Sequence, residues 1–214
     1  MRLFIYGMES SGASTFCLFL GQRAGAVTVV DLWSHCLAPP LVVDVPIVLK
    51  ATVTTTYRAE DHVRSFCPDA SILFLRDPVA VYRSLIKYDY ANYEGSVEQK
   101  LIRFDQEYSP QKFDLVIRYE DFVRREPAVI RAIDELGWIC SNSYYDLPRS
   151  IDDIRETNFH KSPWLHDEYN KKWSFGNFKG ASISSDFLRA DHQPEIVSKV
   201  ASLSPRLTKL YGLS

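Results

Sequence analysis

Short apolar runs alternate along this chain with stretches in which apolar residues recur at helical spacing, the pattern of a parallel sheet covered by helices. The runs at 3–6, 27–31, 47–49, 72–75 and 115–117 predict strands. Segments 14–23, 59–66, 78–88, 97–108 and 127–136 predict helices, with Pro78 and Pro127 at first-turn positions where a missing N–H is harmless. Beyond Trp138 the pattern gives way to Ser, Asn, Asp, Tyr and Pro, and only short helices around 151–155 and within 194–210 are expected there. This part reads as a C-terminal segment wrapped on the rest. With no repeat, low-complexity tract or linker, the expectation is a single domain over 1–214.

Composition narrows the function classes. At 214 residues, 46% hydrophobic and 24% charged, the chain can bury one large core. A formal charge of −2 gives no global field to recruit nucleic acid or an anionic membrane, so any anion site is local. No apolar run approaches the ~20 residues of a membrane span, and MRLFIYG is too short for the apolar part of an export leader. The four cysteines, Cys17, Cys36, Cys67 and Cys140, lie far apart with no CxxC pair, which argues against zinc and against a disulfide framework. A cytoplasmic protein with reduced thiols and no metal is expected.

The candidate chemistry begins at GMESSGAST, residues 7–15, between a predicted strand and a predicted helix. Backbone N–H groups of such a turn and of the helix N-terminus converge on one spot, and the helix dipole favours negative charge there. Ser10, Ser11, Ser14 and Thr15 add hydroxyl donors. A nucleotide hydrolase would place its lysine at Ala13, and alanine cannot meet the charge that builds between terminal phosphates. The loop can still grip a phosphate-like group.

Three further stretches carry groups suited to an anionic ligand. In ILFLRDPVAVYRSLIKY a strand ends at Arg76, and Ser84 lies two helical turns beyond Asp77, so a guanidinium and a hydroxyl can share one groove. In FDLVIRYEDFVRREP a strand is expected to run into Tyr119, Glu120 and Asp121. In ETNFHKSPW and NKKWSFGNFKG, Lys171, Lys172 and Lys179 stand among Trp173, Phe175 and Phe178, where cations beside aromatic faces can clamp a flat anion.

Together these stretches resemble the sulfotransferases that use 3′-phosphoadenosine 5′-phosphosulfate, PAPS, as sulfuryl donor. The resemblance runs in consistent order from Leu3 to about Gly180, and the terminal PRLTKLYGL is similar to the family's closing helix. It implies a three-layer α/β/α fold with a central, mostly parallel sheet of P-loop-like architecture. It also implies a soluble, metal-independent enzyme acting on a hydroxyl or amine of a small-molecule or glycan acceptor, with adenosine 3′,5′-bisphosphate as product. Carried over residue by residue, Ser10, Ser11, Gly12, Ala13, Ser14 and Thr15 fall on the family's 5′-phosphosulfate loop. Arg76 and Ser84 match its 3′-phosphate pair, Tyr119 its YED tyrosine near the adenine, and Thr157 and Phe159 its TSF-like segment. Lys171 and Lys172 match its late lysines on the 3′-phosphate. Because that reaction breaks one sulfate–phosphate bond without a triphosphate or magnesium, Ala13 is unremarkable.

The chain departs from the family at three places, one of them Trp173, which replaces the first glycine of the family's late loop. Ser10 stands where many members have a lysine, and Thr52 stands where the usual catalytic histidine follows the lysine of a KTH segment. Lys50, at the end of the third strand, matches that lysine and is the candidate for the sulfuryl or bridging oxygen. A threonine hydroxyl does not accept a proton at neutral pH. The base is sought among His35, Glu60, Asp61 and His62, expected in loops after strands, with His62 carried forward beside Lys50. Trp33, Tyr88, Tyr90, Tyr93 and Trp164 are candidates to line an acceptor pocket. Two other readings stand: a non-catalytic PAPS-binding or bisphosphate-binding relative, and a P-loop small-molecule kinase.

Overall fold

The computed structural model describes residues 1–30, 32, 35–41, 44–87, 95–140 and 191–213. Five strands, β1 (Arg2–Gly7), β2 (Val27–Val29), β3 (Ile47–Thr52), β4 (Ala70–Leu75) and β5 (Leu115–Arg118), form one sheet in the order β2-β3-β1-β4-β5. Every pairing is parallel. The helices are α1 (Ala13–Leu20), α2 (Ala59–Phe66), α3 (Pro78–Lys87), α4 (Val97–Glu107), α5 (Tyr119–Arg124), α6 (Pro127–Glu135), α7 (Pro194–Leu203) and α8 (Pro205–Leu210). This is the layered α/β architecture expected from the alternation of apolar runs and amphipathic segments. No helix among the described residues is long and apolar enough to cross a membrane.

Register fixes what faces what. Ile5 pairs with Lys50 and Ile72, and Gly7 with Thr52 and Phe74. Side chains alternate along a strand. Lys50, Thr52 and Phe74 therefore point to one face of the sheet, and Phe4 and Tyr6 to the other. The first face is covered by α1 and α5: Phe74 stacks on Phe16 with centroids 4.7 Å apart, and Phe122 meets Phe16 edge-on at 5.1 Å. The second is covered by α2 and α4, where Tyr6 lies 6.3 Å from both the His62 ring and the Phe104 ring.

Local chemistry explains the helix boundaries. At α4, Ser96 Oγ accepts from Gln99 N at 3.2 Å and Gln99 Oε1 accepts from Ser96 N at 2.9 Å, a reciprocal cap. The strand expected to run into Tyr119, Glu120 and Asp121 instead stops at Arg118, and Tyr119 opens α5. Glu120 and Asp121 then occupy a helix first turn, where the dipole favours carboxylates. The helix expected within 194–210 is two helices, because Pro205 lacks an N–H and excludes helical geometry from Ser204, whose φ is −140°. Asp105 Oδ1 of α4 accepts from Ser204 Oγ at 3.0 Å and from Leu207 N at 2.9 Å, fastening α8 to the body of the fold. The segment 151–155 lies outside the described residues.

Candidate functional site

The loop 7–12 leaves the carboxyl end of β1, the central strand, which is where ligands bind in open parallel sheets. Two of its residues adopt left-handed backbone: Ser10 at φ 59° and Gly12 at φ 86°. Ser11 N and Ser11 Oγ both donate to Met8 O, at 3.2 and 2.6 Å, closing the turn. Gly12 is required twice over. Its φ favours glycine, and a Cβ there would lie 2.5 Å from the Tyr119 ring.

Helix α1 begins directly after this turn with no side-chain cap and no acidic residue in its first turn. Helices α3, α6 and α8 likewise have no acidic residue there, whereas α2 carries Glu60 and Asp61 in its first turn, α4 carries Glu98, and α5 carries Glu120 and Asp121. The first intrahelical donation in α1 is Phe16 N to Gly12 O at 3.1 Å. The N–H groups of Ser14 and Thr15 thus have no carbonyl one turn back, and the positive end of the dipole is left unneutralised by a carboxylate in that turn.

Arg76 follows the last residue of β4 and turns back to this loop. Its Nη1 donates to Ser10 O at 2.7 Å, and its guanidinium lies over the Tyr119 ring, 4.6 Å from the centroid. Tyr119 is buried between that guanidinium, Gly12 and the edge of Phe74. Burial raises its hydroxyl's pKa, opposed by the charge of Arg76. Tyr119 is therefore a floor under the loop. Ser84 stands half-buried on the second turn of α3.

Asp77 follows Arg76 and organises the strand ends. Its Oδ1 caps α3 by accepting from Val79 N at 2.8 Å and Ala80 N at 3.2 Å, while its own N donates to Glu120 Oε1 at 3.0 Å. Its Oδ2 lies 2.6 Å from His192 Nε2, and Tyr211 OH donates to Glu120 Oε2 at 3.2 Å. The residues beside Arg76 and Tyr119 are thus bonded to His192, just before α7, and to Tyr211, just after α8. Burial, with the Glu120 carboxylate next, pushes the Tyr211 phenol far above its usual range.

The two proposed catalytic residues are not brought together. Lys50, only 3% exposed, reaches from β3 into the α1 face, and β3 continues two residues beyond it to Thr52. His62 belongs to α2 on the opposite face, as do Glu60 and Asp61, so these candidates for the base lie within the helix predicted at 59–66 and not in a loop after a strand. The His62 ring packs against Phe4, Tyr6 and Tyr57, and its Nδ1 accepts from Ala38 N at 3.1 Å. Burial lowers its pKa to about 4. An imidazole whose acceptor nitrogen is already engaged in the core is a packing residue. Asp61 Oδ2 accepts from Arg58 N at 2.8 Å at the start of α2, and Glu60 pairs with Lys112 on the surface. His35 is exposed in a turn.

Two residues at this end of the sheet escaped the sequence reading. Glu9, inside the loop, is ion-paired with Lys100 of α4 at 2.7 Å. The legible signal was Lys100 itself. It shares the buried stripe of α4 with Val97, Leu101 and Phe104, where helical spacing predicts an apolar residue. Thr157, Phe159, Lys171 and Lys172, together with Trp33, Tyr88, Tyr90, Tyr93 and Trp164, lie outside the described residues.

No family model matches the sequence, and no curated protein is similar enough to count as a relative. Among solved structures, the chain is similar to the crystal structure of mouse sulfotransferase SULT7A1 complexed with PAP. That match has 11% identity over 100% of this chain and 89% of that one, with a TM-score of 0.45. It is also similar to the crystal structure of retinol dehydratase in complex with androsterone and inactive cofactor PAP, at 12% identity over 97% of this chain and 80% of that one, with a TM-score of 0.47. At such scores the roles of individual residues in this chain rest on its own geometry.

Proposed function

We propose that the chain binds adenosine 3′,5′-bisphosphate and its 5′-phosphosulfate, PAPS, and transfers the sulfuryl group to a hydroxyl or amine of a small-molecule or glycan acceptor. The observation that carries this reading is the left-handed Ser10/Gly12 turn beside the Arg76 guanidinium. In this reading the turn and the start of α1 offer the N–H groups of Gly12, Ser14 and Thr15 to an anion, without the loop lysine that a triphosphate requires. The residues present suit a phosphosulfate group. Glu9, the one carboxylate within the loop, is turned to Lys100.

In this reading Gly12, Ser14 and Thr15 hold the 5′ group through backbone N–H and hydroxyl donors, because the Ser11 N–H and hydroxyl both donate to Met8 O and Ala13 N donates to Ser11 Oγ, and Arg76 with Ser84, Lys171 and Lys172 holds the 3′-phosphate. Thr157 and Phe159 serve the nucleoside end, the buried Tyr119 supports the loop from below rather than meeting the base, and Lys50 stabilises charge on the transferring oxygen. The donor supplies an activated sulfuryl group, which leaves little covalent work to the protein. The chain must align acceptor and donor and exclude water. The single domain and a cytoplasmic location belong to the same reading.

A second reading, a bisphosphate-binding relative that does not catalyse, is favoured by the core position of His62 and the structural ties of Glu60 and Asp61. Calorimetry with adenosine 3′,5′-bisphosphate tests what both readings share. Binding is expected, and it should weaken at least ~10-fold in Arg76→Ala, the loss of one charge-assisted contact. No binding at millimolar concentration, or magnesium-dependent ATP binding in its place, would overturn both. Sulfate transfer detected by mass spectrometry and lost in Lys50→Ala separates the enzyme from the non-catalytic relative.

A further inference from the structure

The loop that would take the anion carries a carboxylate of its own. Glu9 stands between Met8 and Ser10, and an unmasked negative charge at that point repels a phosphate or sulfate group. Glu9 Oε2 instead accepts from Lys100 Nζ at 2.7 Å. The Lys100 side chain is 0% exposed and that of Glu9 14% exposed. Lys100 reaches the loop from α4, ninety-one residues along the chain. A lysine on the buried stripe of a helix is strongly unfavourable unless an opposite charge meets it there. Ser10, beside Glu9, brings no charge.

We infer that Lys100 is a positioning residue that masks Glu9, so that the loop presents its N–H groups and the Arg76 guanidinium with no net negative charge of its own beside them. This rests on the anion-binding reading of the loop and adds to it a residue from a distant helix. The two members of the pair make opposite predictions, although removing either one breaks the same ion pair. Lys100→Met leaves the Glu9 carboxylate beside the bound anion and weakens its affinity at least ~10-fold. Glu9→Gln leaves the Lys100 ammonium there and tightens binding. The doubly neutral Glu9→Gln/Lys100→Met returns to within ~3-fold of the starting affinity. A pair that served only to staple α4 to the loop would make both single variants weaken binding alike.

The experiment is calorimetric titration of the chain and the three variants with adenosine 3′,5′-bisphosphate and, separately, with inorganic pyrophosphate, with thermal unfolding of each variant alongside. Opposite shifts in the single variants and recovery in the double variant are expected. Like-signed losses in both single variants, or a double variant that stays ~10-fold weak, would overturn the masking role. If a single variant fails to fold, the double variant decides by itself: recovered affinity supports masking, and lost affinity overturns it. A chain that takes pyrophosphate but not the bisphosphate sinks the proposed function while the masking test proceeds with pyrophosphate. A chain that takes neither sinks both.

Discussion

The two faces of the sheet are built on different physics. Under α1 and α5 the layer is aromatic: Phe16, Phe74, Phe122 and Tyr119 meet at stacked and edge-on angles, and the loop rests on this block through Gly12. Under α2 and α4 a second aromatic layer, of Phe4, Tyr6, Phe104 and Phe113, is laced with ionisable groups. His62 accepts from Ala38 N, Lys100 pairs with Glu9, and Asp105 holds α8. Glu107 is kept above the usual carboxylate range by burial, against the pull of its bond from Ala59 N. A ring block needs no particular pH to hold its shape, whereas a polar layer ties distant elements by directional bonds that protonation can break. The loop is supported from below by the first and held from the side by the second.

The aromatic block is most sensitive at Phe74. Phe74→Ala should lower unfolding free energy by ~3–5 kcal/mol, because a fully buried ring leaves a cavity at the centre of the aromatic block. A smaller fall in a urea melt would mean that the rings are not a packed unit. The polar face is probed next by pH. In the folded chain His62 takes its proton near pH 4, whereas in the unfolded chain it does so near pH 6.5. Between those values the unfolded state binds more protons, so stability is full above about pH 6.5 and falls as pH drops toward 4. The loss attributable to this group is ~3 kcal/mol. His62→Phe should flatten that part of the stability profile, and an unchanged profile would remove His62 from the account.

Gly12→Ala comes third. It combines a left-handed backbone with a Cβ driven into Tyr119, and should lower stability by ~1–3 kcal/mol while abolishing measurable bisphosphate binding. Retained affinity would mean that the turn is not the grip. The smallest effect is expected at Glu60, whose carboxylate, with its side chain 55% exposed, pairs with Lys112 and has its pKa lowered by that contact. Glu60→Ala should shift stability by no more than ~0.5 kcal/mol in the same melt, since exposed pairs are screened by water.

Much of the fold was legible because strands and helices announce themselves in local patterning. The predicted helix at 59–66 coincides with α2, and each predicted strand falls on an observed one. The errors sit where patterning is local but the outcome is not. At Tyr119–Asp121 a continuing strand and a helix start share the same few residues, and the burial of Tyr119 beneath Gly12 accompanies the turn into α5. His62 follows a strand closely enough in sequence to pass for a cleft residue, yet its ring belongs to the core.

Adjacent residues alone place the loop, show that it lacks a triphosphate lysine, and put an arginine at the end of the neighbouring strand, because each of these is a local property. Packing in three dimensions sets Lys50 and His62 on opposite sides of the sheet and brings Arg76 and Tyr119 against the loop. Pleat alternation tells which residues of one strand share a face. Which face a helix will cover depends on the crossover that carries the chain over the sheet. For the same reason the partner of Glu9 was out of reach of the sequence, since it arrives only when α4 packs against β1.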